Sequence, residues 1–270
     1  MTDGAVERVS PERVRYDACP LCGSSQFRHE VTGGCANHHS YDPRLSPQIR
    51  WMRCADCTHS FAEGYYTDAA LEVLFSKTQD NQTVGAGLEQ NREVSARMIE
   101  KVLPYRQDGV WLDVGCGNGS LLFTAAEFGF DPVGLDLRPQ TVAGMNALGV
   151  ECHQQDITAF QYNRPISVVS MADVLEHTHY PKACLEATHS LMEPGGVLFV
   201  SMPNADSMLW NIATQQNSNP YWGELEHYHN FGRTRLYDVL QETGFTPVRY
   251  GISERYRMCM EVIALSDAAA

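Results

Sequence analysis

From residue 88 onward, apolar positions along the chain alternate between two spacings. In LEQNREVSARMIEKVL, Val94, Met98 and Val102 recur every four residues and give a helix one apolar stripe. GVWLDV and PVGLDL are instead short continuous apolar runs, as strands buried on both faces show, and VECHQQDI, ISVVSMA and VLFVSMP read the same way. Helix patterns fall between and after them. SLLFTAAEF is closed by Gly129, and PQTVAGMNAL has Pro139 in its first turn and Gly149 at its end. PKACLEATHSLM and RTRLYDVLQETG complete the helical set, and TPVRYGIS and MCMEVIAL are two more β-rich runs. The alternation predicts an α/β fold, a doubly wound and mostly parallel sheet covered by helices. The short connection between the last two runs predicts an antiparallel C-terminal strand.

Residues 1–75 lack this alternation and carry a different signal. Two CxxC pairs, Cys19 with Cys22 in CPLCG and Cys54 with Cys57 in RCADCTH, each present two thiolates on a short loop. Two such loops complete a tetrahedron around Zn²⁺, and four cysteines leave no open position for water, so the expected zinc is structural. The division that follows is an N-terminal zinc-ribbon-like module over 1–75 and an α/β domain over 76–270. The stretch from Cys22 to Cys54 holds Cys35, His38 and His39, either alternative ligands or an exposed polar loop, and His59 is a weaker substitute ligand. The odd total of nine cysteines speaks against a disulfide framework.

Composition narrows the function classes. A 43% hydrophobic share supports a substantial core, and no run approaches the ~18 apolar residues of a membrane span. The start MTDGAVERVSPERVRYD lacks the apolar stretch of a secretory signal, so a cytoplasmic protein without a membrane partner is expected. A net charge of −13 disfavours nucleic acid as a partner.

The chemistry concentrates after the first strand of the α/β pattern, in WLDVGCGNGS. Gly115, Gly117 and Gly119 are spaced GxGxG, not the GxGxxG of a dinucleotide fingerprint, and Asp113 precedes them. An acid there would repel a pyrophosphate and attract an ammonium. S-adenosylmethionine fits that exchange, having no phosphate but a sulfonium and an α-ammonium. In this loop Cys116 is read as a small residue, because methyl transfer from a sulfonium needs no enzyme nucleophile.

With these residues in view, the chain from about 85 onward resembles the class I S-adenosylmethionine-dependent methyltransferases. Among them it is similar to the branch with the ubiquinone-biosynthesis O-methyltransferases. LDVGCGNG resembles the first motif of that family, GLDL and QQDI the next two, and MADVLEH and LMEPGGVLFVSMPN the fourth-strand and fifth-strand motifs, all in order. The resemblance implies a Rossmann-like methyltransferase fold. It also implies cofactor contacts from Asp113, Gly115, Gly117 and Gly119, ribose binding by Asp136 beside Leu137, adenine contacts from Asp156 and Ile157, and a place for Ala172 at the fourth strand's end. The expected reaction moves a methyl group to a small-molecule acceptor through O, N or C.

A phenol, enol or amine acceptor must also lose a proton, commonly to a histidine. His177 follows the fourth strand, and His227 and His229 lie in GELEHYHNFGRTRL; His227 is the first choice and the other two are alternates. The segment 208–231 is rich in aromatics, and Trp210, Tyr221, Trp222, Tyr228 and Phe231 suit an apolar or planar acceptor, or simple packing. Two other functions fit the same motifs. One is RNA base methylation with recognition by the zinc module, and the other is S-adenosylmethionine binding without turnover.

Overall fold

The computed structural model describes residues 8–76 and 83–268; positions 1–7, part of the start read as signal-free, lie outside them. In chain order the elements begin β1 (Arg13–Arg15), β2 (Phe27–Gly34), β3 (Gln48–Cys54), β4 (Ser60–Ala62), β5 (Gly64–Tyr66), α1 (Asp68–Phe75) and α2 (Leu88–Val102). There follow β6 (Val110–Val114), α3 (Ser120–Glu127), β7 (Asp131–Leu135), α4 (Pro139–Ala147), β8 (Glu151–His153), β9 (Ile166–Ala172), α5 (Pro181–Leu191) and β10 (Met192–Pro203). The rest are α6 (Met208–Gln215), β11 (His229–Asn230), α7 (Arg233–Glu242), β12 (Phe245–Ile252) and β13 (Cys259–Ser266). These elements form two compact units, one of residues 79–175, 180–204 and 236–270, the other of 1–78, 176–179 and 205–235.

The first of these units is the α/β body. Its seven strands run in the order β12-β13-β10-β9-β6-β7-β8. Strands β6 to β10 pair in parallel, and β13 runs antiparallel between β10 and the edge strand β12. Every residue of β6 and β9 is buried, as continuous apolar runs require. Met98 and Val102 of the predicted stripe are buried with Ser95 and Ile99, and they join Trp111, Leu122, Val168 and Phe199 in one core. Truncating a side chain such as Trp111 in this core would cost about 3–5 kcal/mol. Gly129 and Gly149 take positive φ of 94° and 81° where α3 and α4 stop, a conformation that favours glycine. β8 is shorter than VECHQQDI suggests. Asp156 accepts from the Thr158 N–H and turns the chain into a 3-10 turn at Ile157–Ala159 instead.

The cysteine-bearing unit has a four-stranded sheet, β11-β4-β3-β2, and a two-stranded one, β1-β5, all pairs antiparallel. It is larger than residues 1–75, because the segment 205–235 supplies both a strand and part of the core. His229 and Asn230 pair with Phe61 and Ser60. The Trp51 indole N–H donates to the Trp222 carbonyl at 2.9 Å, and Leu225 and Tyr228 are buried with Leu45, Ile49, Trp51 and Tyr66. A Cβ at Gly33 would stand 1.6 Å from the Trp222 carbonyl oxygen, so only glycine lets these two backbones approach.

Candidate functional site

The loop after β6 is built by its glycines. Gly115, Gly117 and Gly119 take φ of 69°, 54° and 80°, the left-handed region that side chains resist. Two of them are also held from outside: a Cβ on Gly115 would meet Val174 at 2.9 Å, and one on Gly119 would meet the Met145 sulfur at 2.5 Å. Gly117 differs, since a Cβ there would meet only the Arg138 guanidinium and the Gly115 carbonyl oxygen, both at 3.8 Å, so the side chain of Arg138 covers this face of the loop. The Gly115 and Cys116 N–H groups donate to the Leu135 carbonyl at 2.7 and 3.0 Å and fasten the loop to the end of β7. Cys116 is buried with its sulfur 3.7 Å from that of Cys152.

Three acids lie at the same ends of these strands. Asp113 is buried on β6 and accepts from the Ser170 hydroxyl at 2.6 Å, while that hydroxyl accepts from the Trp111 indole N–H at 2.9 Å. Burial lifts the Asp113 carboxyl to about 6, against the lowering influences of Ser170 and Arg255. Asp136, also buried, accepts from the Gly117 N–H at 3.1 Å and holds the Arg138 guanidinium through both carboxylate oxygens, at 3.0 and 2.9 Å. Leu137 beside it is exposed. Asp156 is exposed and Ile157 buried.

The pairing of Asp113 with Ser170 sets the carboxyl ends of β6 and β9 side by side, and buried Ala172 closes β9. One residue there escaped the sequence reading. Asp173 takes φ of 60°, accepts from Ser201 at 3.0 Å and lies 3.6 Å from Arg255, whose guanidinium also donates to the Ala172 carbonyl. The acid directly after a buried strand was its only signal, and Arg255 carried none.

In the other unit, the sulfurs of Cys19, Cys22, Cys54 and Cys57 all lie within 4.8 Å of one another, with Cys19–Cys57 at 3.7 Å and Cys22–Cys54 at 3.6 Å. Sulfurs on a zinc tetrahedron with ~2.3 Å bonds are about 3.8 Å apart, so the set fits that ion. Each knuckle turns on a left-handed residue just after its second cysteine, Gly23 at φ 74° and Thr58 at φ 58°. Burial pushes the Cys22 thiol up to about 11, and the adjoining Cys19 together with burial raises Cys57. Cys35 is not an exposed loop residue: it is buried and its thiol donates to the Ser46 carbonyl at 3.3 Å. His38 pairs with Glu224 at 2.5 Å, and His39 is exposed.

The three candidate histidines separate into two sets. His229 is fully buried with both ring nitrogens engaged, Nδ1 with His59 Nε2 at 3.0 Å and Nε2 with the Thr178 carbonyl at 2.9 Å. The His59 ring is thus engaged by His229, while its backbone carbonyl accepts from the Cys54 N–H at 3.0 Å. His177 and His227 meet instead, with ring centroids 4.6 Å apart and Glu176 beside them. Burial drives His227 well below its usual range and His229 to about 3, so both are neutral at pH 7.

Among the aromatics, Trp210 is buried and stacks on Tyr221 at 5.5 Å, and Trp222 stands edge-on to it at 5.2 Å. Trp210 and Trp222 line a cavity of about 630 Å³ together with Arg28, Arg53 and Asp206. Tyr228 and Phe231 are core residues of this unit, the first against Tyr66 and the second against His59.

A family model described as "Methyltransferase domain" matches residues 88–250. The chain is 36% identical over 110 residues to the ubiquinone biosynthesis O-methyltransferase of Pectobacterium carotovorum, a match covering 38% of this chain and 46% of that protein. With the same enzyme of Aliivibrio fischeri it is 33% identical over 156 residues, covering 52% and 67%. The chain thus spans less than half the length of the first of these relatives. Among solved structures, the 1,6-didemethyltoxoflavin-N1-methyltransferase of Burkholderia thailandensis superposes with a TM-score of 0.56 at 16% identity, covering 80% of this chain and 99% of that one. The magnesium protoporphyrin IX methyltransferase of Synechocystis gives a TM-score of 0.52 at 19% identity, with coverage of 66% and 84%. Both share the fold described above.

Proposed function

Because the chain belongs to the methyltransferase-domain family, we propose that it transfers a methyl group from S-adenosylmethionine to a small-molecule acceptor. The observation that carries this proposal is the left-handed glycine loop, covered at Gly117 by the Arg138 side chain and flanked by two buried acids, Asp113 and Asp136. A pyrophosphate at this loop would meet the Asp113 charge unfavourably, whereas an aminoacyl nucleoside would use both acids. Asp136 accepts from the ribose hydroxyls, displacing Arg138 in doing so. Asp156 and Ile157 contact the adenine, and Asp113 sets a negative charge toward the α-ammonium. Gly115, Gly117, Gly119, Leu137 and Ala172 complete the cofactor surface.

The methyl of a sulfonium is already activated, so aligning it with the acceptor supplies much of the rate. Where the acceptor carries a proton, the His177–His227 pair handles it, and His229 positions its segment through His59 and Thr178. Trp210 and Trp222, with Tyr221 stacked on Trp210, offer aromatic contacts to an acceptor beside a cavity of the size small ligands occupy, about 300–1,000 Å³. Cys19, Cys22, Cys54 and Cys57 hold one structural zinc ion as thiolates.

The test is release of S-adenosylhomocysteine from methyl-labelled donor, with panels of phenols, catechols, amines and structured RNA. Label in one small-molecule class, lost in Asp136→Ala, is the expected result. Label in RNA alone would overturn the acceptor class, and cofactor bound without any turnover would overturn catalysis.

A further inference from the structure

Besides the four thiols, one cluster among the described residues gathers groups able to hold a metal ion: Glu176, His177 and His227, whose ligand atoms all lie within 4.8 Å of one another. All three belong to the cysteine-bearing unit. The chain brings them together by a backbone bond, the Tyr228 N–H donating to the Glu176 carbonyl at 2.8 Å. Glu176 is 1% exposed and His227 6%, so the site is enclosed on two sides, and His177 is half-buried.

The hydrogen bonds orient the donors. His177 Nδ1 stands 2.9 Å from the Glu226 carbonyl, which only accepts, so that nitrogen carries the proton and the Nε2 lone pair is free. A metal-bound histidine is commonly oriented by this same kind of bond. Glu226 is held in turn by the Ser40 hydroxyl at 3.4 Å. His227 stacks on Tyr221 at 6.0 Å and meets the His177 ring at 90°. Its Nδ1 is buried without a hydrogen-bond partner, an arrangement that costs free energy unless something binds there.

We propose that Glu176, His177 and His227 form a second metal site, for a divalent first-row transition ion such as Zn²⁺, Mn²⁺ or Fe²⁺. Two imidazoles and one carboxylate are donors these ions accept, and three protein ligands leave at least one position open. Ligand atoms bound at ~2.0–2.2 Å in a tetrahedron lie about 3.3–3.6 Å apart, a spacing inside the 4.8 Å that bounds this set. The half-buried His177 is the member with room to move. Resting on the methyl-transfer reading, the open position takes an acceptor oxygen, and the ion lowers that oxygen's pKa. The two histidines then act on the acceptor proton through the ion, as its ligands.

The experiment adds Co²⁺ to the full-length protein already loaded with zinc at the four cysteines. One equivalent of Co²⁺ should bind with weak visible bands of nitrogen and oxygen ligands and without a thiolate charge-transfer band. His177→Ala and the near-isosteric Glu176→Gln should lose that absorption at the same cobalt concentration while keeping the wild-type circular dichroism and their zinc. Absence of Co²⁺ binding to the wild type, or full absorption in both variants, would overturn the site. A thiolate band would overturn it as well, by assigning the cobalt to the cysteines. None of these readouts requires turnover, so failure of the methyl-transfer proposal would be seen separately, in the label assay. Addition of catechol should shift the cobalt bands if the open position takes an acceptor oxygen, and unchanged bands would overturn that assignment.

Discussion

Asp113 shows how much a single buried carboxyl can govern. Burial disfavours its charge and pushes its pKa up to about 6, above the ordinary carboxylate range. A carboxyl raised in this way binds its proton more tightly folded than unfolded. Its contribution therefore makes stability fall as pH rises from about 4 to about 6, by roughly 3 kcal/mol at 1.36 kcal/mol per unit. A cofactor ammonium favours the ionised form, so affinity for S-adenosylhomocysteine should rise about tenfold between pH 5 and 7 and level off above that. Asp113→Asn should flatten both slopes. A wild-type affinity that does not change with pH would remove Asp113 from the cofactor surface. The glycines of this loop were legible in the sequence because GxGxG spacing encodes a backbone only glycine adopts. The engagement of Asp136 by Arg138 was not, since the motif fixes the acid and not what rests on it without a ligand. The burial of His229 was equally hidden: its partner His59 is 170 positions away, and neither residue sits in a periodic pattern.

At the scale of elements, α2, β6, β9 and β13 follow the spacing of apolar positions, because the helix buries a single stripe and the strands nearly continuous runs. The segment with α6 and β11 did not declare itself. Its aromatics suited an acceptor wall or simple packing alike, and Tyr228 and Phe231 are core residues of the cysteine-bearing unit. No local pattern distinguishes an aromatic that lines a pocket from one that fills a core. The close approach of Gly33 to Trp222 makes the association testable. Gly33→Ala forces a Cβ to within 1.6 Å of a carbonyl oxygen, so the backbones must separate. The expected loss is about 1–3 kcal/mol or more, the range of overpacked sites. Gly34→Ala has nothing within 4 Å and should stay within about 0.5 kcal/mol of wild type. Urea unfolding followed by tryptophan fluorescence compares them, and equal midpoints for the two variants would contradict the packing described.

Across the whole molecule, the two CxxC pairs were readable as one cluster because two knuckles share a recognisable spacing, and four sulfurs do converge. If they hold structural zinc, Cys54→Ser should lower zinc content and melting temperature together, since metal binding and folding of the unit are coupled. Metal analysis with calorimetric melting decides this, and a metal-free wild type that melts unchanged would contradict it. No helix among the described residues is long and apolar enough to cross a membrane. The central claim is that the glycine loop and Asp136 receive S-adenosylmethionine. Isothermal titration of S-adenosylhomocysteine into wild type and Asp136→Ala tests it most directly. The account predicts one site per chain in the wild type, no heat with a nicotinamide dinucleotide, and binding weakened about 10- to 150-fold for each ribose hydrogen bond lost, at roughly 1.5–3 kcal/mol apiece. Equal affinity in the two folded proteins, or no binding by the wild type, would contradict it.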